Sequence, residues 1–222
     1  MLELSGLSLG FGGISVIRDL SLRVAPGERL VILGPNGAGK TSLLRLIAGE
    51  LRPQQGNIWL HRRDITRDTV PSRARAGIGR GFQQTSLFTG MTLRENLSLA
   101  CDGDAAAMEQ LAARAGLTDL DRPVAKVDYG TARRLDLALA LAGNPRLLLL
   151  DEPASGIGPG GAVDLHALIA ALPRDLTLVV IEHDLDLAFA IADRIAIMDR
   201  GRIVFDGAPE AARPALKATY DV

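Results

Sequence analysis

"RLVILGPNGAGKTSLLRLIA", Arg29–Ala48, is the stretch that decides the fold. Its first five residues, Arg29 to Leu33, read as a short apolar strand. The next eight, "GPNGAGKT" from Gly34 to Thr41, match G-x-x-x-x-G-K-[ST]. From Lys40 to about Ala48 the pattern is helical, and Gly49 is a usual stop. Strand, glycine loop and helix in that order are the context in which this motif cradles phosphate. Gly34, Gly37 and Gly39 let backbone N–H groups curl around phosphate oxygens, and the helix N-terminus adds its positive end. Lys40 is placed to reach β- and γ-phosphates, and Thr41 to hold Mg²⁺. The expected nucleotide-binding segment is therefore Gly34, Pro35, Asn36, Gly37, Ala38, Gly39, Lys40, Thr41 and Ser42. The loop alone does not separate small-molecule kinases, GTPases and motor ATPases. No N-K-x-D guanine-reading stretch is present, which lowers the GTPase case.

Downstream, "RLLLLDEP" places Asp151 and Glu152 at the end of a second apolar strand. Carboxylates directly after four leucines are costly unless they are paired or metal-bound. In an open α/β sheet, strand C-terminal ends face the ligand crevice. Asp151 is thus expected in a Mg²⁺ shell, and Glu152 near the γ-phosphate, where it could orient or deprotonate water.

The runs "LLLL" and "LTLVVI" do not alternate, which suits strands buried on both faces of a parallel sheet. "RIAIM" and "RIVF" add strands, while "AVDLHALIAAL" and "DLDLAFAIA" supply crossover helices. Earlier strands are expected around Leu2–Leu9 and Leu20–Val24, and one more in "GNIWLHRRDIT", with Trp59 packed in the core. The middle, about Thr85 to Ala142, reads as helical through "LRENLSLA", "AAAMEQLAARAG" and Thr131–Ala142. The result is a doubly wound α/β core with a helical insertion.

Bulk properties narrow the class. The chain has 222 residues, 25 basic and 26 acidic, with a net charge of −1, which argues against an electrostatic nucleic-acid binder. The single cysteine, Cys101, rules out an internal disulfide framework and is expected to be a small packed residue. No apolar run approaches the roughly 18 residues of a membrane span, and "MLELSGLSLGFGG" does not read as a secretory signal. Any membrane association is expected through a partner.

Together the loop and the acidic pair resemble ATP-binding cassette (ABC) ATPases, and the resemblance covers essentially the whole chain. It implies a P-loop NTPase (RecA-like) core with an N-terminal antiparallel β subdomain and an inserted helical subdomain. On that reading 1–222 is one domain, with 1–83 and 143–222 forming the catalytic core and β subdomain and 84–142 the helical, signature-bearing part. The resemblance further implies that Phe11 stacks on adenine, the alternative being a core aromatic. Gln83 in "GRGFQQTSLF" would join the site to the helical lobe and contact Mg²⁺ or water, and His183 in "VVIEHDL" would sense the γ-phosphate. ATP and Mg²⁺ are the implied ligands. The implied partners are a second ABC ATPase, identical or different, transmembrane permease subunits and, indirectly, a solute-binding protein. The implied location is the cytoplasmic face of the inner membrane.

"KVDYGTARRLDLALAL", Lys126–Leu141, falls where such cassettes carry a signature, commonly L-S-G-G-Q, that binds the γ-phosphate of ATP held by the other subunit. Asp128, Tyr129 and Gly130 are the aligned residues, and only the glycine survives. The "YG…RRL" pattern, "FQQTSLFTGMTLRENL", "LDEPASGIGP" and "IEHDLDLAFAIADRIAIMDRGRIVFDG" resemble ATPases of branched-chain amino-acid importers, with urea/amide importer ATPases as close relatives. An Asp128 carboxylate facing a phosphate would meet like charge, costing on the order of 4 kcal/mol at about 4 Å, unless an arginine or a turned-away rotamer relieves it. That predicts a weak signature face and suits a heterodimer. Arg133 and Arg134 have Asp128, Asp136 or a partner acid as candidate counterions, the alternative being a solvated basic turn. Gly158 stands where the family often has an Asp that couples the two sites. The functional expectation is an importer ATPase, with a regulatory, non-transport cassette as the alternative and a small-molecule kinase as a weaker one.

Overall fold

A computed structural model of the chain describes residues 1–81 and 87–220. Two sheets share the work. β1 (Leu2–Phe11), β2 (Ile14–Val24), β4 (Gln55–Leu60) and β5 (Arg63–Asp64) form an antiparallel sheet in the order β2-β1-β4-β5. β3 (Arg29–Leu33), β6 (Ile78–Gly81), β7 (Leu147–Asp151), β8 (Thr177–Ile181), β9 (Arg194–Asp199) and β10 (Arg202–Gly207) form the second, in the order β10-β9-β3-β8-β7-β6. Its pairings are parallel except for the antiparallel edge strand β10.

Alternate residues of the parallel strands belong to two different cores. Leu30, Ile32, Leu147, Leu149, Val179 and Ile181 pack with α1 (Lys40–Ala48) and the inner face of the antiparallel sheet. Val31, Leu33, Leu148, Leu150, Leu178 and Val180 face the opposite layer. That layer is built by α3 (Leu93–Ala100), α4 (Ala105–Arg114), α5 (Tyr129–Leu141), α6 (Pro159–Ala170), α7 (Leu185–Ile191) and α8 (Pro209–Tyr220). Burial on both faces is why these strands show no alternation in sequence. A short helix α2 (Val70–Arg75) feeds β6. No helix among the described residues is long and apolar enough to cross a membrane.

Several sequence expectations are corrected. β2 begins at Ile14 rather than near Leu20, because the chain after Gly12 and Gly13 doubles straight back along β1. "GNIWLHRRDIT" is a hairpin, turning through His61 and Arg62 with φ of 50° and 65°. Trp59 is not core: strand alternation buries Ile58 and Leu60 and leaves Trp59 on the outer face, 37% exposed. Cys101 is half-buried against the helical core, and burial raises its thiol pKa. β6, α2 and α8 were not expected from the sequence.

Candidate nucleotide site

The carboxyl ends of β3, β7 and β8 meet at one edge of the parallel sheet, the usual place for a ligand crevice. After β3 the chain turns sharply. Gly34 has φ +144°, and a Cβ there would stand 2.0 Å from the Met198 carbonyl oxygen on β9. Gly39, with φ +101°, leads into α1, and its Cβ would stand 2.7 Å from the Val16 carbonyl oxygen on β2. Only glycine fits at either point. The N-terminus of α1 has no side-chain cap and no acidic residue in its first turn. Its leading N–H groups and positive dipole end are left for an anion.

Lys40 opens that helix and is 6% exposed. Its Nζ donates to the carbonyl oxygens of Gly34 (2.5 Å) and Pro35 (3.0 Å). Burial lowers its pKa, while the charges of Glu152 and Asp151 raise it. The ammonium is thus held inside its own loop by two neutral acceptors.

Asp151, at the end of β7, is 1% exposed. Its Oδ1 accepts from Thr41 Oγ1 at 3.4 Å, and its Oδ2 is buried with no hydrogen-bond partner. Burial raises its pKa, the Thr41 hydroxyl lowers it and Glu152 raises it further. A buried carboxylate oxygen without a partner, next to a hydroxyl, fits a divalent cation. Among the described residues no three His, Cys, Asp or Glu side chains cluster as a cage. A single carboxylate beside a hydroxyl suits Mg²⁺, which takes one or two protein ligands and fills the rest with phosphate and water.

The parallel register puts Asp151 opposite Ile181. One residue further, Glu152 adopts φ +48° and donates its N–H to the Ile181 carbonyl at 3.0 Å. Two residues beyond Ile181 stands His183, and its Nε2 lies 2.6 Å from Glu152 Oε1. Two residues singled out separately in the sequence are thus in direct contact. Glu182 between them was not singled out. It is 4% exposed, its Oε2 accepts the N–H groups of His183 (3.0 Å) and Asp184 (3.3 Å), and its Oε1 is buried without a partner. Burial pushes its pKa up to about 7. A charged residue ending an apolar strand was the available signal.

Phe11 ends β1 and is 51% exposed, so it is free to meet a ligand and is not the core residue of the alternative reading. Gln83 lies outside the described residues.

The signature segment begins α5, which packs on β6 and on α3, α4 and α6. Asp128 is the N-cap of this helix. Its Oδ1 accepts from Thr131 N–H at 2.9 Å and its Oδ2 from Thr131 Oγ1 at 2.7 Å. Of the outcomes the sequence leaves open, the turned-away rotamer is the one observed: both oxygens engage the cap, which also holds the carboxyl pKa below its usual value. For Arg133 the solvated-turn alternative is excluded: it is 4% exposed, stacks over the Tyr129 ring at 5.1 Å and donates to the Ser155 carbonyl at 3.4 Å. Arg134 donates to Thr131 Oγ1 at 2.9 Å. Gly158 caps α6 without a side chain.

Residues 17–155 match the ABC transporter family. The chain belongs to that family. It is 35% identical to the high-affinity branched-chain amino acid transport ATP-binding protein BraF of Pseudomonas aeruginosa, over 96% of this chain and 93% of BraF. It is 33% identical to LivG of Escherichia coli K12, a protein of the same description, with the same coverage. The cobalt import ATP-binding protein CbiO of Rhodobacter capsulatus is 38% identical over 90% of this chain and 75% of CbiO. Among solved structures, the ADP conformation of the ATP-binding cassette MJ1267 superposes with a TM-score of 0.89 at 26% identity, covering 100% of this chain and 97% of MJ1267. The ABC cassette described here therefore binds and hydrolyses ATP, and its fold is the P-loop NTPase fold with an added antiparallel sheet.

Proposed function

We propose that this cassette energises an importer of branched-chain amino acids or related small polar solutes, using MgATP. The solute class is supported by the match, over nearly the whole chain, to two proteins named for branched-chain amino acid transport. Those relatives also favour transport over a regulatory, non-transport role. The observation that carries the catalytic reading is the Glu152–His183 contact one residue beyond Asp151.

On this reading Gly34 to Ser42 hold the triphosphate, and Lys40 exchanges the Gly34 and Pro35 carbonyls for β- and γ-phosphate oxygens. Thr41, the free Oδ2 of Asp151 and Gln83 would hold Mg²⁺, which when bound neutralises charge on the β- and γ-phosphates. Phe11 stacks on the adenine. His183 leaves Glu152 and donates to the γ-phosphate, which frees Glu152 Oε1 to accept a proton from water. The water oxygen bonds to the γ-phosphorus as the bond from phosphorus to the ADP oxygen breaks. Asp128, Tyr129 and Gly130 face the nucleotide of a second ATPase subunit, identical or different. Permease subunits anchor the pair at the cytoplasmic face of the inner membrane, and a solute-binding protein delivers the solute. The helical part, 84–142, receives the permease contact.

The test is uptake of labelled leucine by vesicles reconstituted with the chain and its permeases. Uptake driven by internal ATP and abolished by Glu152→Gln supports the proposal. ATP hydrolysis with no solute gradient for any aliphatic amino acid counts against the solute class.

A further inference from the structure

The phosphate loop is tied at its base by a residue from the far end of the chain. β3 pairs with β9 as far as Leu33, where the ladder ends. The next amide, Gly34 N–H, donates to the Tyr220 hydroxyl at 2.9 Å across 186 positions of sequence. Tyr220 is the last residue of α8, and α8 packs on β9 and β10. Gly34 is therefore fixed on three sides. Its Cα abuts the Met198 carbonyl of β9, its N–H is taken by α8, and its C=O accepts Lys40 Nζ. Ala218 and Thr219 of α8 line the same cleft as Pro35, Asn36 and Gly37, so the end of α8 lies alongside the loop.

An amide at the end of a ladder must find an acceptor or lose its hydrogen bond on burial. A tyrosine hydroxyl can accept here while its ring anchors in apolar surroundings. The ring shares an apolar groove with Leu185 and Phe189 of α7 and Pro214 and Leu216 of α8. The hydroxyl is thus held from the helix side, and it holds the amide of Gly34, the residue whose own carbonyl, in the next peptide unit, engages Lys40.

We propose that Tyr220 is a positioning residue for ATP: its hydroxyl fixes the base of the phosphate loop, so that the C-terminal helix α8 sets the affinity of the loop for triphosphate. The proposal rests on the reading of Gly34–Ser42 as the ATP site. Tyr220 touches neither phosphate nor reacting atoms; it acts through Gly34.

The test compares the wild-type chain, Tyr220→Phe and Lys40→Ala. Tyr220→Phe keeps the ring and removes only the hydroxyl. The expected result is a KM for ATP raised about fivefold to tenfold, the size of one buried hydrogen bond, with kcat within twofold and the melting temperature lowered by only a few degrees. Hydrogen–deuterium exchange of the peptide containing Gly34 should gain one fast amide in the variant. An unchanged KM overturns the proposal, as does a fall in kcat and stability with KM held. Should Tyr220→Phe not fold, wild-type exchange decides: a Gly34 amide exchanging at the free rate overturns it, and one protected further by ATP supports it. If wild type and Lys40→Ala bind ATP equally, the ATP reading fails on its own account, while the exchange data still test the Tyr220–Gly34 bond.

Discussion

His183 Nε2 stands 2.6 Å from Glu152 Oε1, so the imidazole holds one oxygen of the carboxylate that the proposed mechanism uses as its base. On that proposal the contact must open before Oε1 can accept a proton from water. Glu152→Gln should therefore leave ATP affinity within a few-fold and lower kcat by about 10²–10⁴, the usual worth of a positioned base. His183→Ala should lower kcat with a smaller effect on affinity. Single-turnover hydrolysis with excess enzyme measures both. Glu152→Gln turning over at more than a tenth of the wild-type rate would contradict the assignment.

Glu182 gives stability a pH dependence. Its folded pKa is about 7 against an ordinary 4.5, because burial penalises its charged form. Between those values the folded chain keeps a proton that the unfolded chain has released. Its contribution is thus fully present below 4.5, declines as pH rises and is lost above 7. Glu182→Gln keeps an acceptor for the His183 and Asp184 amides and removes the charge. It should stabilise the chain at pH 8 by about 1–3 kcal/mol and flatten the decline. Urea denaturation at pH 5, 6, 7 and 8 reads this directly; parallel curves for wild type and variant would remove Glu182 as the cause.

Asp128 separates capping from signature chemistry. Serine also caps a helix, so Asp128→Ser should change stability by only a few tenths of a kcal/mol, whereas Asp128→Ala should cost about 1 kcal/mol. If the residue also faces the nucleotide of a second subunit, Asp128→Ser should raise the ATPase rate of a homodimer. Equal rates for wild type and Asp128→Ser would leave the carboxylate as a cap alone and remove the reason to expect a heterodimer.

Much of this was legible in sequence because it is local. The strand-loop-helix around Lys40 and the acids ending β7 are set by short-range pattern, His183 is reached only through the family resemblance, and the parallel register brings them together. What escaped depends on distant contacts or on local signals passed over or missing. Asp128 caps its own helix, an N-cap signal that the reading of the segment as a phosphate-facing signature passed over. The His61–Arg62 turn lacks the glycine or asparagine usual where φ is positive. Trp59 was placed in the core on residue type, although the Ile58–Leu60 alternation assigns it outward. Pro214 interrupts the helical pattern of α8, hiding the element that carries Tyr220 to a loop 186 positions away.

Arg73 holds the opposite end of the phosphate-loop helix. It is 1% exposed, and its Nη1 donates to the Leu46 and Ile47 carbonyls at 2.6 and 2.7 Å, its Nη2 to the Thr66 carbonyl at 3.1 Å. A cation on the last carbonyls of α1 complements the helix dipole while the other end awaits an anion. Arg73→Met fills the volume but removes the guanidinium from the Ile47 and Thr66 carbonyls, while Leu46 keeps the Gly49 N–H at 3.2 Å, and should destabilise the fold by about 2–3 kcal/mol. A loss below 1 kcal/mol in chemical denaturation would show that the carbonyls find other donors.

The central claim is that triphosphate is gripped by the Gly34–Ser42 loop, Lys40 and the Thr41–Asp151 pair. Isothermal titration of MgATP into wild-type chain, Lys40→Ala and Asp151→Asn tests it most directly. The account predicts saturable binding to wild type, loss of most of that affinity in Lys40→Ala, and an affinity in Asp151→Asn that no longer improves when Mg²⁺ is added to ATP. Equal MgATP affinity in all three folded proteins would contradict it.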